Sequence, residues 1–385
     1  MLKKLKQSRL KLIGQNWLDV SRLTILVRYY SSNINSIQSK CQRHGFGGFT
    51  VVSIFQLGQE KPTIADKVDN AYSECEAIAR NASSSFFRSF RHLPTHKRRA
   101  VNSLYAFCRR VDDIVDGDWL PQVDLSHLDE SAVARSLQMS VDRQQDLDSS
   151  QEHISKVKAL LYYRLSLDAI EQGEAQSDPI FIALADVYKK FPIELDNLRE
   201  LITGMEDDLF ATNYERFEQL RQYCYRVAST VGLCLVEIYG YNDPNARRHA
   251  VEMGIYLQMV NVLRDIQEDL ARNRVYLPKE ELAKFGITKE NLHSPDLPNS
   301  KAWQEFMRHY LDHVMAHRKN AIGLLPLLDK DARYSPSLMC AAYDAILEEA
   351  MKRNGDVLTR RLSLSFYRKL QFALGIIRKP RLNFN

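Results

Sequence analysis

The chain has 385 residues, 45% apolar and 26% charged, with a formal net charge of +5. Those proportions belong to a soluble globular protein with room for a sizeable core, and no apolar run approaches the roughly 20 residues of a bilayer-spanning helix. Six cysteines, Cys41, Cys75, Cys108, Cys224, Cys234 and Cys340, are scattered without a CxxC pair, which excludes a small disulfide scaffold and reads as reduced thiols in an intracellular compartment.

The charge is unevenly spread. Residues 1–30 carry Lys3, Lys4, Lys6, Arg9, Lys11, Arg22 and Arg28 against Asp19 alone, a local +6. The stretch is acid-poor, apolar at intervals and closes on "VRYYSS" (27–32), the pattern of an organellar presequence for a mitochondrion or plastid, with a disordered leader as the alternative. Residues 1–65 are therefore set apart from the fold.

From Ala65 onward, apolar residues recur at three- and four-residue steps and alternation is scarce, so the fold class is all-α. The periodicity predicts helices over 66–81, 97–117, 154–171, 180–190, 195–209, 216–240, 245–272, 301–323 and 337–355, several closed by signals such as "LP" (93–94) and "YNDP" (241–244). The polar 118–152 stretch reads as an insertion and 285–300 as a loop, both inside one domain over 66–372. A basic tail, 373–385, follows. Residues 352–381 hold nine Lys or Arg against Asp356, and "FYRKLQFALGIIRK" (366–379) interleaves charge with large apolar residues. That suits peripheral contact with an anionic membrane surface, or a last helix packed on the body with a solvated basic face. The remaining body is acidic, at −9, and would repel nucleic acid.

Two helices carry acid where they should be apolar. On 245–272, Gln258, Asn261, Asp265 and Asp269 share one stripe, while Ile255, Leu257, Met259, Val260, Val262, Leu263 and Ile266 cover most of the rest. In "RRVDDIVD" (109–116), Asp112 and Asp116 stand four apart with Val111, Ile114 and Val115 on the flanks. Like charges at this spacing repel, and half-buried carboxylates would take up protons unless something positive lies between them. Oxygen donors without His or Cys nearby select a hard cation, Mg²⁺ with Mn²⁺ as the alternative, and Mg²⁺ commonly bridges carboxylates to substrate phosphates. Arg109, Arg264 and Arg274 are placed to grip those phosphates bidentately. A metal-held diphosphate is a leaving group. If its carbon is allylic, the cation left behind needs a dry aromatic pocket, for which Phe86, Phe87, Phe90, Tyr105, Phe107, Tyr223, Tyr225 and Tyr256 are candidates. Taken singly each of them reads first as plain core; as a set they are compatible with a long hydrocarbon channel.

The blocks "NSLYAFCRRVDDIVD" (102–116), "YCYRVASTVG" (223–232) and "LQMVNVLRDIQEDLARNRVYLP" (257–278) resemble the signature segments of the phytoene and squalene synthases, the head-to-head prenyl synthases. "SSSFFRSFRHLP" (83–94) and "LITGMEDDL" (201–209) extend the likeness over about 71–361. The resemblance implies the isoprenoid synthase fold, an antiparallel helical bundle around a central cavity. It implies metal ligation by Asp112, Asp116, Asn261, Asp265 and Asp269. Arg109, Arg264, Arg274, Gln258, Asn261, Ser85 and Phe86 would then contact substrate, and Tyr225 would sit near the reacting carbons.

The implied reaction is a Mg²⁺-dependent condensation of two prenyl diphosphates through a cyclopropyl diphosphate. Loss of a proton then gives phytoene or dehydrosqualene, and hydride from NADPH gives squalene. "RDIQED…NRVYLP" is worded more like the phytoene synthases, so two geranylgeranyl diphosphates are the expected substrates. Squalene, dehydrosqualene or presqualene diphosphate from farnesyl diphosphate is the alternative. No glycine-rich dinucleotide fingerprint is present, and NADPH is not expected.

Ala82 departs from relatives that hold a histidine near a diphosphate, and the polar 118–152 segment differs from compact relatives. The presequence-like leader keeps a rival of another class in view, a non-catalytic mitochondrial assembly factor of this descent, although all four aspartates are retained here. His309, His313 and His317 recur every four residues, and "ENLH" (290–293) is a single Glu-x-x-His where a di-iron bundle needs two; these histidines are read as lining a helix face. The expected assembly is a monomer or weak oligomer. A chain lacking residues 1–60 is expected to stay soluble and keep its turnover in vitro; an insoluble product would make the leader part of the fold.

Overall fold

A computed structural model of the chain describes residues 63–82, 85–126, 128, 151–209 and 213–364, together with 371 and 382. The leader, most of the polar insertion and nearly all of 365–385 lie outside the described residues, as do the readings placed on them. Among the described residues there is no strand, only two isolated bridges.

The helices follow the periodicity closely: α1 (Ile64–Asn81), α2 (Ser85–Phe90), α3 (Thr95–Asp116), α4 (Gln151–Glu171), α5 (Pro179–Lys190), α6 (Leu195–Glu206), α7 (Phe217–Cys224), α8 (Thr230–Tyr239), α9 (Asn245–Ala271), α10 (Lys279–Ala283), α11 (Lys301–Ala321) and α12 (Tyr334–Lys352). Their ends obey local chemistry. Asp178 accepts from the Ile180 N–H ahead of Pro179 to start α5, and Ser300 accepts from the Trp303 N–H to start α11.

Three sequence readings change. The helix expected over 195–209 tightens into a 3₁₀ turn at Asp207–Leu209. The single helix expected over 216–240 is α7 and α8 joined by a wide π turn at Tyr225–Ser229. Within the loop expected at 285–300 lie two 3₁₀ turns. The π turn is clamped from both sides. A Cβ on Gly254 of α9 would meet the Ser229 Oγ at 2.7 Å, and one on Gly204 of α6 would meet the Arg226 Cβ at 2.6 Å. Only glycine allows both helices this close, and the Ser229 hydroxyl donates to the Val251 carbonyl at 2.7 Å across the contact.

α9 is the axis of the body, packed by α8, α11, α12, α7 and the π turn; α3 is packed by α1, α4, α5, α6 and α8. Apolar flanks hold both acidic helices in place: Val111, Ile114, Ile255, Met259, Val260 and Leu263 are almost wholly buried. Phe107 and Tyr256 belong to this core. Phe107 packs on Tyr163 and Phe181, and the Tyr256 hydroxyl donates to Asp344 at 2.6 Å. Arg318 completes that cluster with two bonds to the same carboxylate, at 2.6 and 2.8 Å, so one buried ion pair ties α9, α11 and α12 together. The histidines of α11 have separate partners: His309 meets Glu281 at 2.7 Å, His317 meets Glu252 at 2.8 Å, and His313 stacks on Phe217.

Asp344→Ala leaves a half-buried guanidinium and a buried phenol without their acceptor, and is expected to lower stability by about 1–3 kcal/mol, seen as a fall in the urea midpoint at unchanged slope. A midpoint equal to wild type would show that the carboxylate carries no countercharge for Arg318.

Candidate active site

Each acidic motif carries its own basic partners. On α3, Asp112 takes a bond from Arg109 at 3.0 Å, and the neighbouring Asp113 is buried against Arg109 and Arg110. Asp113 thus anchors the helix; its amide-accepting carbonyl also receives the Asp118 and Trp119 N–H groups. On α9, Asp265 is gripped side-on by Arg264, whose Nε lies 2.9 and 3.0 Å from its two oxygens, and by Arg361 at 2.6 Å. Arg361 also reaches Glu268 at 2.6 Å.

The two motifs meet through the segment that leaves α9. Asn273, at φ 58, turns the chain sharply, and Arg272 and Arg274 reach back across to Asp116 of α3 at 2.8 and 3.1 Å. Two arginines leaving α9 thus crowd against the acid that ends α3. Asp269 feels this crowding. Burial first, then the charges of Asp265 and Asp208, push its carboxyl up to about 7, against the pull of Arg274 and Arg272. Asp112 is raised to about 6 by burial and by Asp116.

Asp208 is the site residue that the sequence reading passed over. It lies in the 3₁₀ turn after α6, accepts from the hydroxyls of Tyr223 at 2.9 Å and Tyr276 at 2.7 Å, and is raised to about 6 chiefly by burial. Its charge acts on both Asp112 and Asp269, which places it between the motifs. The only signal in the sequence was a run of three acids, Glu206, Asp207 and Asp208, at the end of "LITGMEDDL" (201–209) with no base beside it. Arg272 and Arg361 were passed over too. Arg361 lies 96 residues from Asp265, in a stretch whose sole visible trait was positive charge.

Of the other expected site residues, Asn261 donates to Gln258 at 3.0 Å while its Oδ1 is buried without a hydrogen-bond partner. Tyr225 is half-buried at the first position of the π turn, two residues after Tyr223. Ser85 and Phe86 begin α2, and their side chains lie outside the described residues. Tyr105 meets Phe90 edge to face at 6.1 Å.

Among the described residues no three carboxylate, imidazole or thiolate groups converge tightly enough to enclose an ion. The donor set nevertheless fits Mg²⁺. All the donors are oxygen, Asn261 leaves a buried acceptor unused on the acidic stripe, and Mg²⁺ keeps waters and shares its shell with substrate phosphates rather than needing a complete protein cage.

A mainly helical body with two opposed acidic helices, each lined with arginines, defines the isoprenoid synthase class. A solved dehydrosqualene synthase superposes with a TM-score of 0.65 at 25% identity, over 81% of this chain and 97% of that one. The 15-cis-phytoene synthase of Synechococcus elongatus is 29% identical over 315 residues, covering 79% of this chain and 91% of that protein. The phytoene synthase of Mycobacterium tuberculosis is 30% identical over 313 residues, covering 81% and 92%. Residues 79–368 match the squalene/phytoene synthase family. The chain belongs to that family, and it is a prenyltransferase of the squalene/phytoene synthase type. Among the described residues no helix is long and apolar enough to cross a membrane.

The raised carboxyls of Asp112, Asp208 and Asp269 set a pH dependence. A carboxyl whose pKa rises on folding keeps its proton in the folded chain where the unfolded chain has lost it. The stability gained in this way is complete below about pH 4 and disappears as pH climbs through 6 to 7. The metal-free protein should therefore lose thermal stability between about pH 4 and pH 7, and Asp269→Asn should flatten that loss. An equal slope in the variant would show that Asp269 does not carry its proton.

Proposed function

We propose that the chain joins two geranylgeranyl diphosphates head to head into phytoene. The first diphosphate leaves as its allylic carbon–oxygen bond breaks; the cation alkylates the double bond of the second molecule, and loss of a proton closes a cyclopropyl diphosphate. The second diphosphate then leaves, the skeleton rearranges, and loss of another proton gives the product. Two diphosphates and two protons are released, and no redox partner is consumed.

The observation that carries this reading is the reach of Arg272 and Arg274 from the end of α9 to Asp116 of α3. It puts guanidinium groups between two carboxylate pairs, the charge pattern that receives a polyanionic leaving group. In our reading Asp112, Asp116, Asn261, Asp265 and Asp269 hold Mg²⁺, which when bound supplies positive charge to the departing phosphoryl oxygens. Arg109, Arg264, Arg274 and Arg361 bind the remaining oxygens with paired N–H donors and orient the carbon–oxygen bond. Gln258 and Asn261 continue the polar stripe toward the reacting end. Tyr225 shields the cation from water. The likeness to enzymes named phytoene synthase supports the C20 substrate; the likeness to a dehydrosqualene synthase keeps farnesyl diphosphate as the second reading.

The product is wholly apolar and cannot leave into water. We read the basic C-terminal stretch as a contact with an anionic membrane that receives it, and the leader as an organellar address.

Incubation with C15 and C20 diphosphates and Mg²⁺, with and without NADPH, followed by mass spectrometry, tests the reading. Phytoene from the C20 substrate, indifferent to NADPH and absent in Asp265→Asn, is expected. A C30 product alone would replace it with the farnesyl reading. Arg264→Lys keeps the charge but loses the fork, and should raise KM by about tenfold or more.

A further inference from the structure

Asp208 sits where three segments of the site join, the end of α6, the end of α7 and the extended stretch after α9, and nothing so far has given it a task. Both of its oxygens are engaged, one by the hydroxyl of Tyr223 and one by that of Tyr276. The two rings stack at 5.0 Å, with Tyr214 tilted beside them at 5.6 and 6.2 Å. These rings exclude water from the carboxylate and hold its plane.

The extended stretch itself is short of regular structure. It turns at Asn273, pairs once through Val275 with Asn213, and is pinned further on by the bonds of the Lys279 and Glu280 N–H groups to the Tyr214 and Glu215 carbonyls. Arg274 and Tyr276 stand two apart on it, so in an extended backbone they project to the same side. Both find carboxylates there: Asp116 for Arg274 at 3.1 Å and Asp208 for Tyr276 at 2.7 Å. Arg274 also feels the charge of Asp208 directly.

We propose that Asp208 is the positioning residue for Arg274: it holds Tyr276 and so the stretch between Asn273 and Leu277, and it supplies the countercharge that keeps the Arg274 guanidinium between the two acidic helices. This rests on the reading that the site binds magnesium diphosphate. Asp208 itself need touch neither metal nor substrate. A carboxylate suits the position because each phenol requires an acceptor, and a carboxamide offers only one oxygen. Without the charge, Arg274 is left to Asp116 alone, and its fork turns away from the phosphate it should meet.

The test is a double-mutant cycle read by titration calorimetry of inorganic pyrophosphate with Mg²⁺, without turnover. Asp208→Asn should weaken pyrophosphate binding by about tenfold, the scale of one charge-assisted interaction. Arg274→Gln should weaken it at least as much, and the double variant should be no weaker than Arg274→Gln alone. Additive losses, or an Asp208→Asn variant that binds like wild type, would overturn the assignment. If Asp208→Asn does not fold, Tyr276→Phe removes only the hydroxyl. Its smaller loss should vanish in the Arg274→Gln background, and a loss that persists there would overturn the assignment equally. Wild-type protein without Mg²⁺-dependent affinity for pyrophosphate would instead overturn the functional reading on which this rests.

Discussion

The structure depends on neutralising carboxylates that are held partly out of water. Five of them, Asp112, Asp116, Asp208, Asp265 and Asp269, gather from α3, α9 and the turn after α6, close enough that burial and mutual repulsion raise three of them well above the ordinary carboxylate range. A cluster of this kind either takes up protons or moves apart unless positive charge enters it. Arginines from four segments enter: Arg109 within α3, Arg264 within α9, Arg272 and Arg274 just beyond it, and Arg361 from the stretch after α12. None of these pairs is deeply buried on both sides, so each can exchange a carboxylate for a phosphate without stranding a charge in a dry interior.

That arrangement requires a rigid frame. Repulsion between the motifs would spread α3 and α9 if either could shift, and the flanking apolar side chains prevent this by filling every other direction. The buried Asp344, bonded by Tyr256 and Arg318, fastens α9 to α11 and α12 behind the acidic stripe. The chain then departs from regular helix where the site needs irregular placement: the 3₁₀ turn that presents Asp208, the π turn at Tyr225–Ser229, and the left-handed Asn273 that sends Arg274 back toward α3. Wide turns of the π type concentrate at functional positions because they displace a side chain from the helical register.

Much of this was legible beforehand, and the reason is local. An i,i+4 pair of aspartates between apolar flanks places both acids on one helix face wherever the helix goes, so Asp112 with Asp116 and Asp265 with Asp269 were identifiable from spacing. The all-helical class followed from periodicity, and most helix ends agree within a few residues. The breaks did not show. Residues 216–240 read as one helix because a π turn adds a residue without disturbing apolar spacing enough to see, and the two glycines that make room for it, Gly204 and Gly254, lie on other helices. Likewise nothing in the sequence separated Phe107 and Tyr256 from the other aromatics as core rather than pocket lining; their neighbours Tyr163, Phe181 and Asp344 decide it.

Sequence alone determined the helices and the polar stripe on each of two of them. Those properties depend on residues within a turn or two of each other, where backbone geometry leaves one arrangement. Which arginine serves which carboxylate was decided only in three dimensions. The pairing of Arg274 with Asp116 across 158 residues, and of Arg361 with Asp265 across 96, depends on where whole helices cross, and the crossing is set by the combined shapes of a core that no short stretch contains.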